Sequence, residues 1–146
     1  MKQTLLLATL LFAIPLLGQR PDRAEIKEKL EAQKIAFITE RLDLSPDEAK
    51  VFWPVYDEFQ EKERILREQN RPPKRIEDMN EAEARAFITE SLSNDAAIHQ
   101  LRVEYTDRFL EILSPKKVIM LRKAEIDFRR EVIEKIKRRF EGRRRQ

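Results

Sequence analysis

Glycine occurs twice in this chain, at Gly18 near one end and Gly142 near the other. Between them no residue adopts a left-handed backbone freely. Tight β-hairpins of the favoured primed types rest on glycine or Asn-Gly, and the stretch between has neither. What fills it is alanine, glutamate, lysine, arginine and leucine, all good helix formers. The sequence therefore predicts an all-α protein. Charged residues make up 39% of it, against about 25% in an ordinary domain. A chain so charged builds long helices with narrow apolar stripes, not a thick globule, and a partner is one way to complete their burial. Acids and bases are interleaved, so the formal net charge is only +3.

The amino terminus carries an address. Lys2 precedes an apolar run from Leu5 to Leu17, and Gly18 supplies a small residue before Gln19-Arg20. Basic start, apolar middle and small residue form the pattern of a secretory signal peptide. The run is short of the roughly 20 residues that span a bilayer, although an uncleaved anchor is the alternative. The expected layout is a signal peptide at 1–18, one helical domain at 19–141 and a basic tail at 142–146, in a protein exported to the periplasm. With no cysteine, no disulfide reinforces it.

Caps and apolar periodicity mark four helices. The first follows Asp22, with Glu25 as its capping-box partner, and runs to about Leu42. The second starts at Pro46 and ends near Gln69, before Pro72-Pro73, which cannot continue a helix. The third follows Asn80, with Glu83 at its third position, and the fourth starts at Pro115. On that last helix Ile119, Ile126 and Ile133 form a second apolar row, expected of a helix packed between neighbours. A duplication is visible as well: "AFITERL" (36–42) recurs as "AFITESL" (86–92), and "LSP" at 44–46 recurs at 113–115. Two helical hairpins, the second with a lengthened leading helix, would account for it; so would chance recurrence of common helix residues.

The two "LSP" elements rest on mechanism. Ser45 is a good N-cap and Pro46 suits the first helical position, where no amide donor is missed. Glu48 completes a capping box and Leu44 can staple onto Ala49. In the second start, Leu113, Ser114 and Pro115 repeat the pattern, but Lys117 stands where the acid should be. Two cations, Lys116 and Lys117, then sit at the positive end of the helix dipole. Either this helix frays at its start, or the lysines hold an acid elsewhere.

This paired motif in an exported, cysteine-free helical chain resembles the Spy/CpxP family of periplasmic stress proteins, whose hallmark is a twice-occurring Leu-Thr-x-x-Gln. "KIAFITERLDLSPDEAKVFWPVYDEF" looks like a Bacteroidetes branch often labelled as sensors linked to extracytoplasmic sigma factors. Ser45 and Ser114 replace the threonines, while Glu48 and Lys117 stand where glutamine is expected. The resemblance implies a thin, curved homodimer of bent helical hairpins that cradles unfolded clients or a signalling partner. Pro54, inside the second helix, fits a bend, because proline removes a hydrogen bond and clashes with the carbonyl of Lys50. The rival geometry is a short helix ending near Phe52 and a new one starting at Pro54. Phe52, Tyr56 and Phe59 read first as core. Phe52, Trp53, Tyr56, Arg122 and Arg129 are the candidate partner contacts, with Trp53 the one among these aromatics expected to be exposed to a partner.

The inventory for catalysis is thin. One histidine, His99, and no cysteine leave no ordinary nucleophilic relay. There is no Gly-rich phosphate loop and no Glu-x-x-His pair of the di-iron kind. Some members of the resembled family are labelled heavy-metal sensors, but His99, Met79 and Met120 make a poor soft-metal set. No catalytic residue, metal or cofactor is expected. The tail, with Arg138, Arg139, Arg143, Arg144 and Arg145 around Phe140, would suggest nucleic acid in the cytoplasm. Export redirects it to anionic lipid or acidic clients, or leaves it a frayed end. Three functions remain: an ATP-independent, chaperone-like or stress-sensing binding protein; a signalling adaptor docking a membrane-bound regulator of a sigma-factor pathway; and a structural protein held to membranes by its tail.

Overall fold

The computed structural model describes residues 22–144. The expected signal peptide and cleavage point lie outside that range, as does Arg145. Within it the chain is four α-helices without a strand: α1 Arg23–Leu42, α2 Pro46–Gln69, α3 Glu81–Ile112 and α4 Pro115–Arg144, with one 3-10 turn at Ile76–Asp78. α4 runs through Gly142 to Arg144, so the basic tail is in large part the end of a helix and not a separate segment.

Local chemistry sets the boundaries. Ser45 Oγ accepts the Glu48 amide at 3.2 Å and Glu48 accepts the Ser45 amide at 2.8 Å, a complete capping box. Asn80 and Glu83 form a second box, both bonds at 2.9 Å. The box expected at the start of α1 is absent: Asp22 makes no side-chain cap bond, and α1 begins with the backbone bond from Ile26 to Asp22. α1 ends in a Schellman turn, in which the Asp43 amide donates to Glu40 and the Leu44 amide to Thr39. Asp43, at φ 49°, is the one positive-φ residue among those described. In a chain short of glycine, aspartate takes the left-handed position because its short polar side chain tolerates it.

Pro54 does not divide α2, which is continuous from Pro46 to Gln69. This removes the alternative of a new helix starting at Pro54. The proline ring faces solvent, so the Lys50 carbonyl it leaves unpaired can turn to water.

The two hairpins expected from the sequence, α1 with α2 and α3 with α4, are not the main pairs. α1 packs along α4 and α2 along α3, with a smaller contact between α3 and α4. The apolar stripes explain the exchange. Phe52, Tyr56 and Phe59 of α2 meet Tyr105 and Phe109 of α3, with Phe52 and Phe109 rings 5.5 Å apart and Phe59 and Tyr105 rings 5.2 Å apart. Phe37 of α1 meets Phe128 of α4 at 5.6 Å. The buried core gathers the end of α1 (Ile38, Leu42), the start of α2 (Phe52, Tyr56), the end of α3 (Tyr105, Phe109) and the start of α4 (Leu121, Ala124), with Leu113 between them. Two helical pairs thus diverge from one shared vertex.

Candidate functional site

The vertex joins the two "LSP" starts through a single lysine. Lys117 Nζ donates to Glu48 Oε2 and to the Asp43 carbonyl, each at 2.7 Å. One cation therefore satisfies the acid of the first capping box and a carbonyl at the end of α1. It also explains why α4 begins at Pro115 without an acid of its own: its cap bond from the Lys117 amide to Ser114 Oγ is long, at 3.4 Å, and the lysine is held by α2 instead. The hydrogen bond from Lys117, before any other influence, draws the Glu48 carboxyl below its ordinary range. Of the two outcomes the sequence allowed for these lysines, Lys117 takes the second.

Between the two pairs lies a half-open cleft of about 610 Å³, with walls from all four helices. Its apolar surface comes from Leu30, Phe59, Leu121, Phe128 and Val132 among others, and Arg122 and Arg129 stand on it as well. Both arginines are exposed. Neither has a hydrogen-bonded or ion-paired partner among the described residues. Arg67 and Arg102 also line the cleft, but Glu63 holds them, at 3.2 Å and 2.7 Å.

Two hydrogen bonds cross this cleft. The Tyr56 hydroxyl of α2 donates to Glu125 Oε1 of α4 at 2.8 Å. Lys34 Nζ of α1 donates to Gln60 Oε1 of α2 at 3.2 Å and lies 4.7 Å from the centre of the Tyr56 ring. Burial shapes all three titrating groups. It is the first cause that raises Glu125, against the Tyr56 hydrogen bond and the Lys34 charge that favour its ionised form. It is likewise the first cause that lowers Lys34, against the pull of Glu125, and the first that raises Tyr56. Together these groups form a polar tie that joins α2 to α1 through Lys34 and Gln60 and to α4 through Tyr56 and Glu125.

The candidate contacts scatter when placed in the fold. Arg122, Arg129 and Tyr56 come together in the cleft. Phe52 and Tyr56 are buried, which agrees with their first reading as core and corrects the alternative that they present faces to a partner: Phe52 packs against Phe109 of α3, and the Tyr56 ring lies under Lys34. Trp53 is half-buried, its ring 5.0 Å from Phe52 and 5.4 Å from Tyr56, and it does not line the cleft. Pro54 and the capping residues serve the vertex and helix ends.

Lys34 and Glu125 were missed, yet each breaks an apolar stripe. Lys34 sits four residues from both Leu30 and Ile38, and Glu125 four from Leu121 and three from Phe128. A charge in the middle of a core-facing row was the available signal. No group of three or more metal-ligating His, Cys, Asp or Glu side chains occurs among the described residues. Comparison with family models, curated proteins and solved structures found no match for this chain.

Proposed function

We propose that the protein is an ATP-independent, non-catalytic binder of unfolded protein segments, exported to the periplasm and working as a homodimer of this four-helix unit. The observation that carries the reading is the half-open cleft, its walls part apolar and part polar, on which Arg122 and Arg129 stand without a partner among the described residues. Apolar walls favour any segment that has lost its own burial. Free guanidinium groups attract acidic flanks and speed encounter without fixing a sequence. A half-open trough suits an extended chain better than a small molecule, which is mostly enclosed in its site.

The test is aggregation of a chemically denatured client diluted into buffer with a stoichiometric amount of the protein. Light scattering should rise later, and Arg122→Glu with Arg129→Glu should shorten the delay for an acidic client. No delay with any of several clients overturns the reading and leaves a dedicated signalling partner as the occupant of the cleft.

A further inference from the structure

The row Ile119, Ile126 and Ile133 does not pack between neighbours, as its spacing led us to expect. All three are exposed, Ile119 at 74%, and Phe140 continues the row into the last turns of α4. Val118, Leu121 and Phe128 take the buried side of the helix instead. At 100° per residue, the four apolar side chains form a slightly slanting line about 30 Å long on the outward side. Arg122 and Arg129 flank it on one side; Arg130, Lys137 and Arg144 lie along the other. Between the angular positions of Ile136 and Lys123 there is one acid, Glu141, at the edge.

From this pattern we infer that the outer face of α4 lies on an anionic lipid surface, with the isoleucine row dipping into the headgroup boundary and the cations on either side meeting lipid phosphates. Interfacial helices bury an apolar row by about 5–10 Å and gain from basic residues beside it. No helix of the described residues is long and apolar enough to cross a bilayer, so α4 would lie on the surface. Charge argues against a second copy as the occupant: two such faces laid together would set cation against cation. It equally disfavours a cationic partner. A line of single apolar residues one per two turns matches a fluid surface better than a folded protein, whose interfaces centre on packed anchors. This face adjoins the cleft, since Arg122, Ile126 and Arg129 also line the cleft, and the inference is tested at Arg130, Ile133 and Lys137, which do not.

The experiment uses the full chain, whose lack of cysteine allows one label at a chosen place. The leading apolar run, Leu5 to Leu17, can hold the chain to any bilayer, so total binding is not the readout. An environment-sensitive fluorophore on Ile133→Cys should shift to the blue with phosphatidylglycerol vesicles and stay unshifted with phosphatidylcholine vesicles. The same label on Glu131→Cys, on another side of α4, should stay in water with both. Adding Arg130→Gln and Lys137→Gln to the Ile133 variant should weaken the shift's lipid titration by about 25-fold, since each cation near such a surface is worth roughly fivefold. No shift with phosphatidylglycerol, an equal shift with both lipids, or indifference to the two glutamines overturns the inference. A shift without vesicles that grows with protein concentration also overturns it, in favour of self-association.

Discussion

Two heptapeptides that differ at one position meet opposite fates in this protein. In "AFITERL" (36–42), Ile38 is 0% exposed and Leu42 is 1% exposed; in "AFITESL" (86–92), Ile88 is 58% and Leu92 66% exposed. Both strings are helical. The difference lies in what stands opposite. The first string ends α1 at the vertex, where all four helices converge. The second lies in the first turns of α3, a helix of 32 residues set against an α2 of 24. α2 gives out at Gln69, where Asn70 bonds Asp95 and Asn94 Nδ2 donates to the Leu66 carbonyl. α3 therefore outruns its partner, and its early residues have only the 70–80 connection beside them. An apolar stripe shows that a helix can bury a side, while the neighbour's length decides how much of it is buried.

The sharpest way to break this comparison is to shorten the same side chain in both copies. Ile38→Ala should cost about 2–5 kcal/mol, the range for emptying a filled core position. Ile88→Ala should stay within about 0.5 kcal/mol, as surface substitutions do. Urea unfolding followed by circular dichroism would measure both. Equal losses would mean that the start of α3 is covered by something else in solution, and the contrast between the strings would disappear.

A smaller effect separates the two "LSP" starts. Ser45 belongs to a complete box, so Ser45→Ala should cost about 1 kcal/mol. Ser114 makes only the long bond to the Lys117 amide, and Ser114→Ala should cost a few tenths of that by the same rule. If the two losses match in the same unfolding experiment, the second start is a true cap and the lysine bridge is incidental.

Much of this was legible, and the boundary between what was and what was not is physical. Glycine usage settled the class, and caps placed the starts of α2, α3 and α4 at Pro46, Glu81 and Pro115, because a cap is local chemistry written within four residues. Helix pairing was not legible. A three-residue link such as Asp43–Ser45 permits a hairpin or a divergent joint equally, and only the distant stripes of α3 and α4 choose between them. The cleft was half legible: Arg122 and Arg129, which stand on it, were among the candidates, and Tyr56 reads first as core and is buried. Its buried tie of Lys34, Tyr56 and Glu125 needed side chains from three helices to be seen as one feature. The duplicated string could not decide the pairing, since near-identical local sequence carries no information about what lies across from it.

The smallest expected effect concerns the α2–α3 arm, away from the vertex. Glu58 accepts Arg108 at 2.9 Å and Lys62 at 2.8 Å. Arg108 first, then Lys62, holds its carboxyl down to about 2 from an ordinary 4.5. A carboxyl depressed by folding adds stability above its unfolded value, and that contribution fades as pH falls from about 4.5 towards 2. The pair is exposed, so solvent screens it and the change is modest. Glu58→Gln should therefore unfold slightly earlier than the native chain at pH 7, with the gap closing as pH falls from about 4.5 towards 2 and below and narrowing in high salt. A gap that stays constant with pH would assign the loss to packing over Tyr105, whose ring lies 4.5 Å from the Arg108 guanidinium, and would show that the arm, like the vertex, is held by its aromatic contacts more than by its charges.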